Sequence, residues 1–239
     1  MEKLDILAFG AHPDDVELSC SGTIIREVRQ GKRVGVIDLT MGELGTRGSA
    51  EIRMKEAALA AEIMGLSYRK NLQMKDGFFE ENQKSITQII QQIRLCQPDI
   101  VIANAVQDRH PDHARGSNLV SRACFLAGLS KIETVFDGIP QIAWRPKVVY
   151  HYVQDRFIQP DVVIDISDVV EEKKKAILAY STQFFNPESK EPETPISSPE
   201  FFEYIFAKDR IFGRQIHVTF AEGFTAERAV GSSFLTHLL

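Results

Sequence analysis

Apolar positions along the chain fall into short, nearly continuous runs set between longer stretches of helical period. Leu4 to Phe9, interrupted only by Asp5, has the pattern of a strand buried on both faces rather than of one alternating between core and solvent. Val34 to Leu39 and Ile100 to Ala103 repeat it, and Tyr68 to Leu72 is a weaker third member of the series. The stretches between them read as helices. Asp15 to Gln30 sets Val16, Ile24, Ile25 and Val28 among polar positions and stops at Gly31. Glu51 to Met64 is alanine-rich and has Gly65 as its C-cap, Ser85 to Cys96 ends before Pro98, and Asp112 to Ala127 closes at Gly128. Strand followed by helix, repeated, predicts an α/β fold of three layers, α/β/α, around a mostly parallel sheet.

The second half is less regular. Val148 to Val153 and Val162 to Ile166 read as strands and Val169 to Tyr180 as a helix, whose Glu171-Glu172-Lys173-Lys174-Lys175 stretch is expected to form a solvated face. Asn186 to Pro199 carries four prolines among polar residues and reads as an exposed loop, either a lid or a plain connection. With no repeat and no interdomain linker in sight, residues 1–239 are expected to form a single domain.

Two strand ends carry the chemistry. Ala11-His12-Pro13-Asp14-Asp15 follows the first strand, and Arg109-His110-Pro111-Asp112-His113 follows the one ending at Ala103. In a doubly wound sheet of order 3-2-1-4-5 these two strands are neighbours at the switch point, where ligands bind beyond the carboxyl ends. One shared site is then the economical expectation. His12 and Asp15, three apart across a strand-to-helix junction, can face one side, and His113 would complete a set of three metal ligands with a place left for water. Asp14 is left beside that set as a general base. His110, as an imidazolium, would stabilise a developing oxyanion, with Asp112 as its orienting partner. Zinc and ferrous iron both suit these ligands. Each segment is also compatible with a plain helix start, with acids at the positive end of the dipole. His151 reads as a packed strand residue that borders the site at most, and His217 and His237 carry no expected role.

Composition narrows the classes. The chain of 239 residues carries a net charge of −5, which speaks against nonspecific nucleic-acid binding. Cys20, Cys96 and Cys124 form no CxxC pair and read as small buried hydrophobes of a reduced protein. The chain opens on Met1-Glu2-Lys3 with no basic and apolar leader, and no apolar run reaches the ~20 residues of a bilayer span, so a cytoplasmic protein with no membrane partner is expected.

Taken together, the paired motifs resemble the PIG-L/LmbE-like superfamily of zinc-dependent N-deacetylases, which act on N-acetylglucosamine carried on various aglycones. The resemblance continues through Leu39-Thr40-Met41-Gly42-Glu43-Leu44-Gly45-Thr46-Arg47-Gly48 with Arg53 and Glu56. Gln107-Asp108-Arg109 and Phe220-Ala221-Glu222-Gly223-Phe224 are similar to the bacillithiol-pathway branch, which removes acetate from N-acetylglucosaminyl-malate. The resemblance implies a Rossmann-like fold, a homo-oligomer, and the same roles for His12, Asp15, His113, Asp14, His110 and Asp112. It also implies substrate binding by Arg53. A dicarboxylate aglycone suits bidentate guanidinium groups, which adds Arg109. Where many members have His-x-Ser-Gln, this chain has Tyr180-Ser181-Thr182-Gln183. Other N-acetylglucosaminyl conjugates, short chito-oligosaccharides and a non-catalytic sugar-binding role stay open. A nucleotide enzyme is weakened by the acids that stand where GxGxxG would cradle phosphate.

Overall fold

A computed structural model describes residues 2–237, with the side chain of His237 outside the described residues. Strands β1 (Ile6–Gly10), β2 (Val34–Thr40), β3 (Tyr68–Met74) and β4 (Ile100–Ala103) alternate with helices α1 (Asp15–Arg29), α2 (Ala50–Met64), α3 (Gln83–Cys96) and α4 (Pro111–Ala127). A two-residue-per-strand hairpin, β5 (Val135–Phe136) and β6 (Ile139–Pro140), precedes β7 (Val148–Tyr152). The chain then forms β8 (Val162–Asp165), α5 (Val170–Leu178), α6 (Pro199–Gln215) and β9 (Ala221–Ala226). The main sheet has seven strands in the order β3-β2-β1-β4-β7-β9-β8. The expected 3-2-1-4 core is present with β7 as its fifth strand. β4 and β7 run parallel, and β9 alone is reversed, pairing antiparallel with β7 and β8.

Alternation on the strands builds the layers. Leu7, Phe9, Ile37, Leu39 and Val101 point to one face and pack with Ile89, Ile93, Leu119 and Val120 of α3 and α4. Ile6, Ala8, Val36 and Ile102 point to the other, against Val16, Ile24 and Ala176 of α1 and α5. Both faces are covered, which is why the strands read as apolar runs. The three cysteines are buried and unpaired.

Two expectations are corrected. Lys173 is not on a solvated face: it is fully buried, and its ammonium donates to Asp209 (2.6 Å) and Glu222 (2.8 Å). α1 is also not one continuous helix. Cys20 breaks it at φ −146°, ψ 15°. Glu222 then accepts from the backbone N–H groups of Gly22 (3.0 Å) and Thr23 (2.7 Å), donors that the break leaves without intrahelical partners. No helix among the described residues is long and apolar enough to cross a membrane.

Candidate active site

β1 and β4 are paired from Ile6↔Ile100 to Ala8↔Ile102, so the segments leaving their carboxyl ends lie side by side. After β1 the backbone turns tightly. A Cβ on Gly10 would stand 2.9 Å from the His12 carbonyl, and the Ala11 carbonyl is held by Thr40 N–H and Oγ1 at 3.0 and 2.8 Å. Asp14 adopts φ 121°, ψ −24°, a region that residues with a Cβ rarely enter. Pro111 opens α4, and the His110 ring caps it by accepting from Asp112 N–H at 3.2 Å.

The site forms around Asp15. Its Oδ1 lies 3.1 Å from His113 Nε2, and its Oδ2 lies 3.7 Å from His12 Nδ1. The other nitrogen of each ring is already committed. His12 Nε2–H donates to Asp76 (3.0 Å), and His113 Nδ1–H donates to Asp108 (2.5 Å). Neutral rings would therefore aim lone pairs at a carboxylate, an arrangement that calls for extra protons or a cation between them. Without a cation the protons are retained. Burial disfavours charge on His12, but Asp112, Asp76 and Asp15 outweigh it and lift its pKa to about 10. Asp15 and Asp108 likewise overcome the burial of His113 and raise it to about 9. Asp15 is held well below the ordinary carboxylate range: burial works against it, and the flanking His113 and His12 prevail. The same geometry fits a metal. Two imidazoles facing one carboxylate, His113 on Oδ1 and His12 on Oδ2, are the donor set that zinc takes. Histidine ligands normally give their second N–H to a carboxylate, as these two do. The ring nitrogens of His12, His110 and His113 also lie within 4.8 Å of one another, as do ligand atoms of His12, Asp76 and Asp112.

Asp14 is buried beside this group. Burial pushes its carboxyl up to about 7, against the pull of the Arg53 guanidinium. His110 differs from expectation. Its Nδ1 accepts a main-chain N–H, so the ring is the neutral Nε2–H tautomer. Burial and the His12 and His113 charges hold its pKa below the ordinary value. Nor does the Asp112 carboxylate orient it: that group accepts from Gly77 N–H (2.8 Å) and Arg115 (2.6 Å), with His12 Nε2 at 3.4 Å. Asp112 acts on His110 through its main chain, because the cap places the ring over the N–H while the side chain turns away.

His12, Asp14, Asp15, His110 and His113 line one cavity of about 310 Å³, and Arg53, Arg109 and Lys208 line it as well. Such a volume takes a small polar ligand. Arg53 is buried and bonded to Gln183; Arg109 is exposed and paired with Asp155 at 2.8 Å. Thr194, Pro195 and Ile196 place the proline-rich loop in the cavity wall, and outside the cavity Glu191 of the same loop accepts from Gly48 N–H at 2.8 Å. Phe201, Tyr204 and Ile205 of α6 extend that wall. His151 lies off the cavity, buried between Ser117 (2.8 Å) and Glu227 (3.0 Å); His217 is exposed.

The family model described as GlcNAc-PI de-N-acetylase, PIG-L, matches residues 7–124, which include both histidine motifs. A crystal structure of a conserved protein from Thermus thermophilus superposes with a TM-score of 0.85 at 33% identity, over 96% of this chain and 97% of that one. Diacetylchitobiose deacetylase of Thermococcus kodakarensis is 28% identical over 75% of this chain and 70% of its own length. The chain belongs to the PIG-L family. As a PIG-L protein among deacetylases it is an N-deacetylase, and its mostly parallel α/β sheet is the one its relatives share. A further PIG-L relative, a probable N-acetyl-α-D-glucosaminyl L-malate deacetylase of Bacillus anthracis, is 26% identical over 75% of this chain and 81% of its own.

Sequence reasoning missed Asp76, Asn104 and Gln154, and gave no site role to Asp108 and Gln183, which it quoted only within longer segments. Asp108 had a local signal, since it directly precedes the Arg109–His113 segment. Asp76 had a topological one, as it follows β3 on the same sheet edge. The three amides carry no signal that spacing or composition reveals.

Proposed function

We propose that this N-deacetylase hydrolyses the acetamide of an N-acetylglucosaminyl conjugate, the malate conjugate of bacillithiol synthesis first among them, using a divalent metal held by His12, Asp15 and His113. The carrying observation is the convergence of two strand-end segments on one cavity, with one ring nitrogen of each of two histidines facing the same carboxylate. Zinc, or ferrous iron in its place, would supply Lewis acidity there, and zinc is the ion that lowers the pKa of its water to about 7. Asp14, whose carboxyl titrates near neutrality, receives the proton of the attacking water and later passes it to the departing amine. His110 donates its Nε2–H to the developing oxyanion, a contact typically worth about 100- to 1000-fold in rate. As a neutral donor it needs no carboxylate partner. Asp112 sets the ring by capping α4, and Asp76 and Asp108 hold the two ligand histidines in register.

Arg53 and Arg109 supply guanidinium groups for the malate carboxylates, and Arg109 must leave Asp155 to do so. A chito-oligosaccharide is the second reading, favoured by the Phe201–Tyr204 wall, since sugar faces pack well on aromatic rings. Purified, metal-analysed protein is given N-acetylglucosaminyl-malate, diacetylchitobiose and free N-acetylglucosamine, and primary amine is measured. Chelator-sensitive release from the malate conjugate alone supports the first reading, and release from the disaccharide alone supports the second. No release from any acetylated sugar refutes both.

A further inference from the structure

Asp15 is held by more than the histidines. Its Oδ2 accepts from His12 N–H at 3.0 Å and from the Asn104 side-chain amide at 2.9 Å. Its Oδ1 accepts from the Gln154 amide at 3.1 Å and faces His113 Nε2. Both amides are buried, Asn104 completely. They also fix each other: Asn104 Nδ2–H₂ donates to Gln154 Oε1 at 3.0 Å, and that oxygen takes Ala105 N–H at 3.2 Å as well. The amide orientations follow, because a carboxylate only accepts and each NH₂ must therefore point at Asp15. Lys208 also holds this segment, donating to the Gln154 main-chain carbonyl at 2.6 Å.

A carboxylate has about four acceptor places, two on each oxygen. Here both places on Oδ2 are taken by N–H donors. One on Oδ1 is taken by Gln154, and the remaining place lies beside His113 Nε2. Asn104 directly follows β4 and Gln154 follows β7, so the pair also ties the ligand on α1 to the ends of two strands of the sheet.

We infer that Asn104 and Gln154 are positioning residues that clasp Asp15 so that it offers a single oxygen to the metal. This rests on the proposed ligand set of His12, Asp15 and His113. An Asp15 free to turn would present both oxygens, raise the coordination number and fill the place that water and the acetyl oxygen need. The clasp thus acts on metal affinity and on coordination number together. A residue that only filled space would alter neither.

The test uses the full-length protein and cobalt(II) and zinc as probes, with Gln154→Met, Asn104→Ala and His113→Ala compared with wild type. Metal affinity is measured by competition with a chromophoric chelator, and the visible cobalt bands report coordination number. Apo-protein unfolding is followed in parallel, to restrict the comparison to variants that fold. The clasp predicts that Gln154→Met and Asn104→Ala each bind zinc about 10- to 100-fold more weakly, the usual loss when an outer partner of a ligand is removed. It also predicts that their cobalt bands weaken toward those of higher coordination. Wild-type affinity and an unchanged cobalt spectrum in either folded variant overturn the clasp while His113→Ala loses metal. Should His113→Ala also keep wild-type affinity, the ligand set itself fails and the clasp falls with it. Gln154→Met keeps a side chain of similar length, so it covers the case in which Asn104→Ala does not fold.

Discussion

Asp14 sits at φ 121°, and the strain in that backbone is measurable by comparing two substitutions that both remove its carboxylate. Asp14→Ala and Asp14→Gly both remove the carboxylate, both leave Arg53 without its buried counter-charge, and both vacate nearly the same volume. Their difference isolates the backbone. A residue with a Cβ in this region costs about 1–3 kcal/mol, a cost that glycine does not incur. Against this stands the extra freedom glycine returns to the unfolded chain, about 0.5–1 kcal/mol. The net expectation is that Asp14→Gly is more stable than Asp14→Ala by about 1–2 kcal/mol. At roughly 2–4 °C per kcal/mol for a chain of this size, the melting temperatures should differ by about 2–8 °C. Urea unfolding of the metal-free proteins reads the difference as a shift in midpoint at equal slope. In an ordinary helical position the order would be reversed, so the sign is diagnostic. An alanine variant as stable as the glycine variant would refute the claim that the base is held in a strained conformation.

Three further outcomes are expected. His113→Ala should lose bound zinc while His110→Ala retains it and loses about 100- to 1000-fold in turnover, as read by metal analysis and amine release; metal loss in His110→Ala would reassign the ligand set. Lys173→Met leaves Asp209 and Glu222 buried without their cation and should cost about 3–5 kcal/mol, seen as a drop of roughly 6–20 °C in melting temperature. Burial lowers Lys208 to about 8 from 10.5, so between those values the unfolded chain binds more protons and stability rises with pH; below pH 8 the lysine is charged in both states. Lys208→Met should flatten that rise in a pH series of denaturant midpoints, and an unchanged slope would show that the lysine stays charged.

The elements that carry the ligands were legible because both faces of their strands are covered. β1, β2 and β4 read as nearly continuous apolar runs, and β4 begins and ends where the pattern puts it. β9 was missed because Glu222, Gly223 and Thr225 break its apolar character. Its glutamate is inside for a reason no local pattern contains, namely the helix break at Cys20 and the ammonium of Lys173. The same pairing misled the reading of Lys173, since a charged triplet on a helix looks solvated until its partners on α6 and β9 are known. That His12, Asp14, Asp15, His110 and His113 gather at one cavity was readable from residue type and strand-end position. The tautomer of His110 was not, because it depends on whether the ring or the Asp112 carboxylate meets the N–H at the start of α4. Asp76, Gln154 and the connection after β4 that carries both Asn104 and Asp108 are three segments that meet only when the sheet has its observed order.

The pairing of β1 with β4 has a consequence for how the protein comes into being. His12 and Asp15 emerge from one strand and His113 follows the other, while β2, α2, β3 and α3 all lie between them in the chain. Contacts this far apart form late, because a long loop must close before they return any stabilisation. With the proposed ligands His12, Asp15 and His113, an emerging chain that has not reached β4 would hold an incomplete set and would not capture the ion in its final geometry. Metal uptake is therefore a clock for the closure of the sheet's centre: a probe that lights up on coordination would report, in a refolding mixture, the moment at which the two halves of this α/β core have joined.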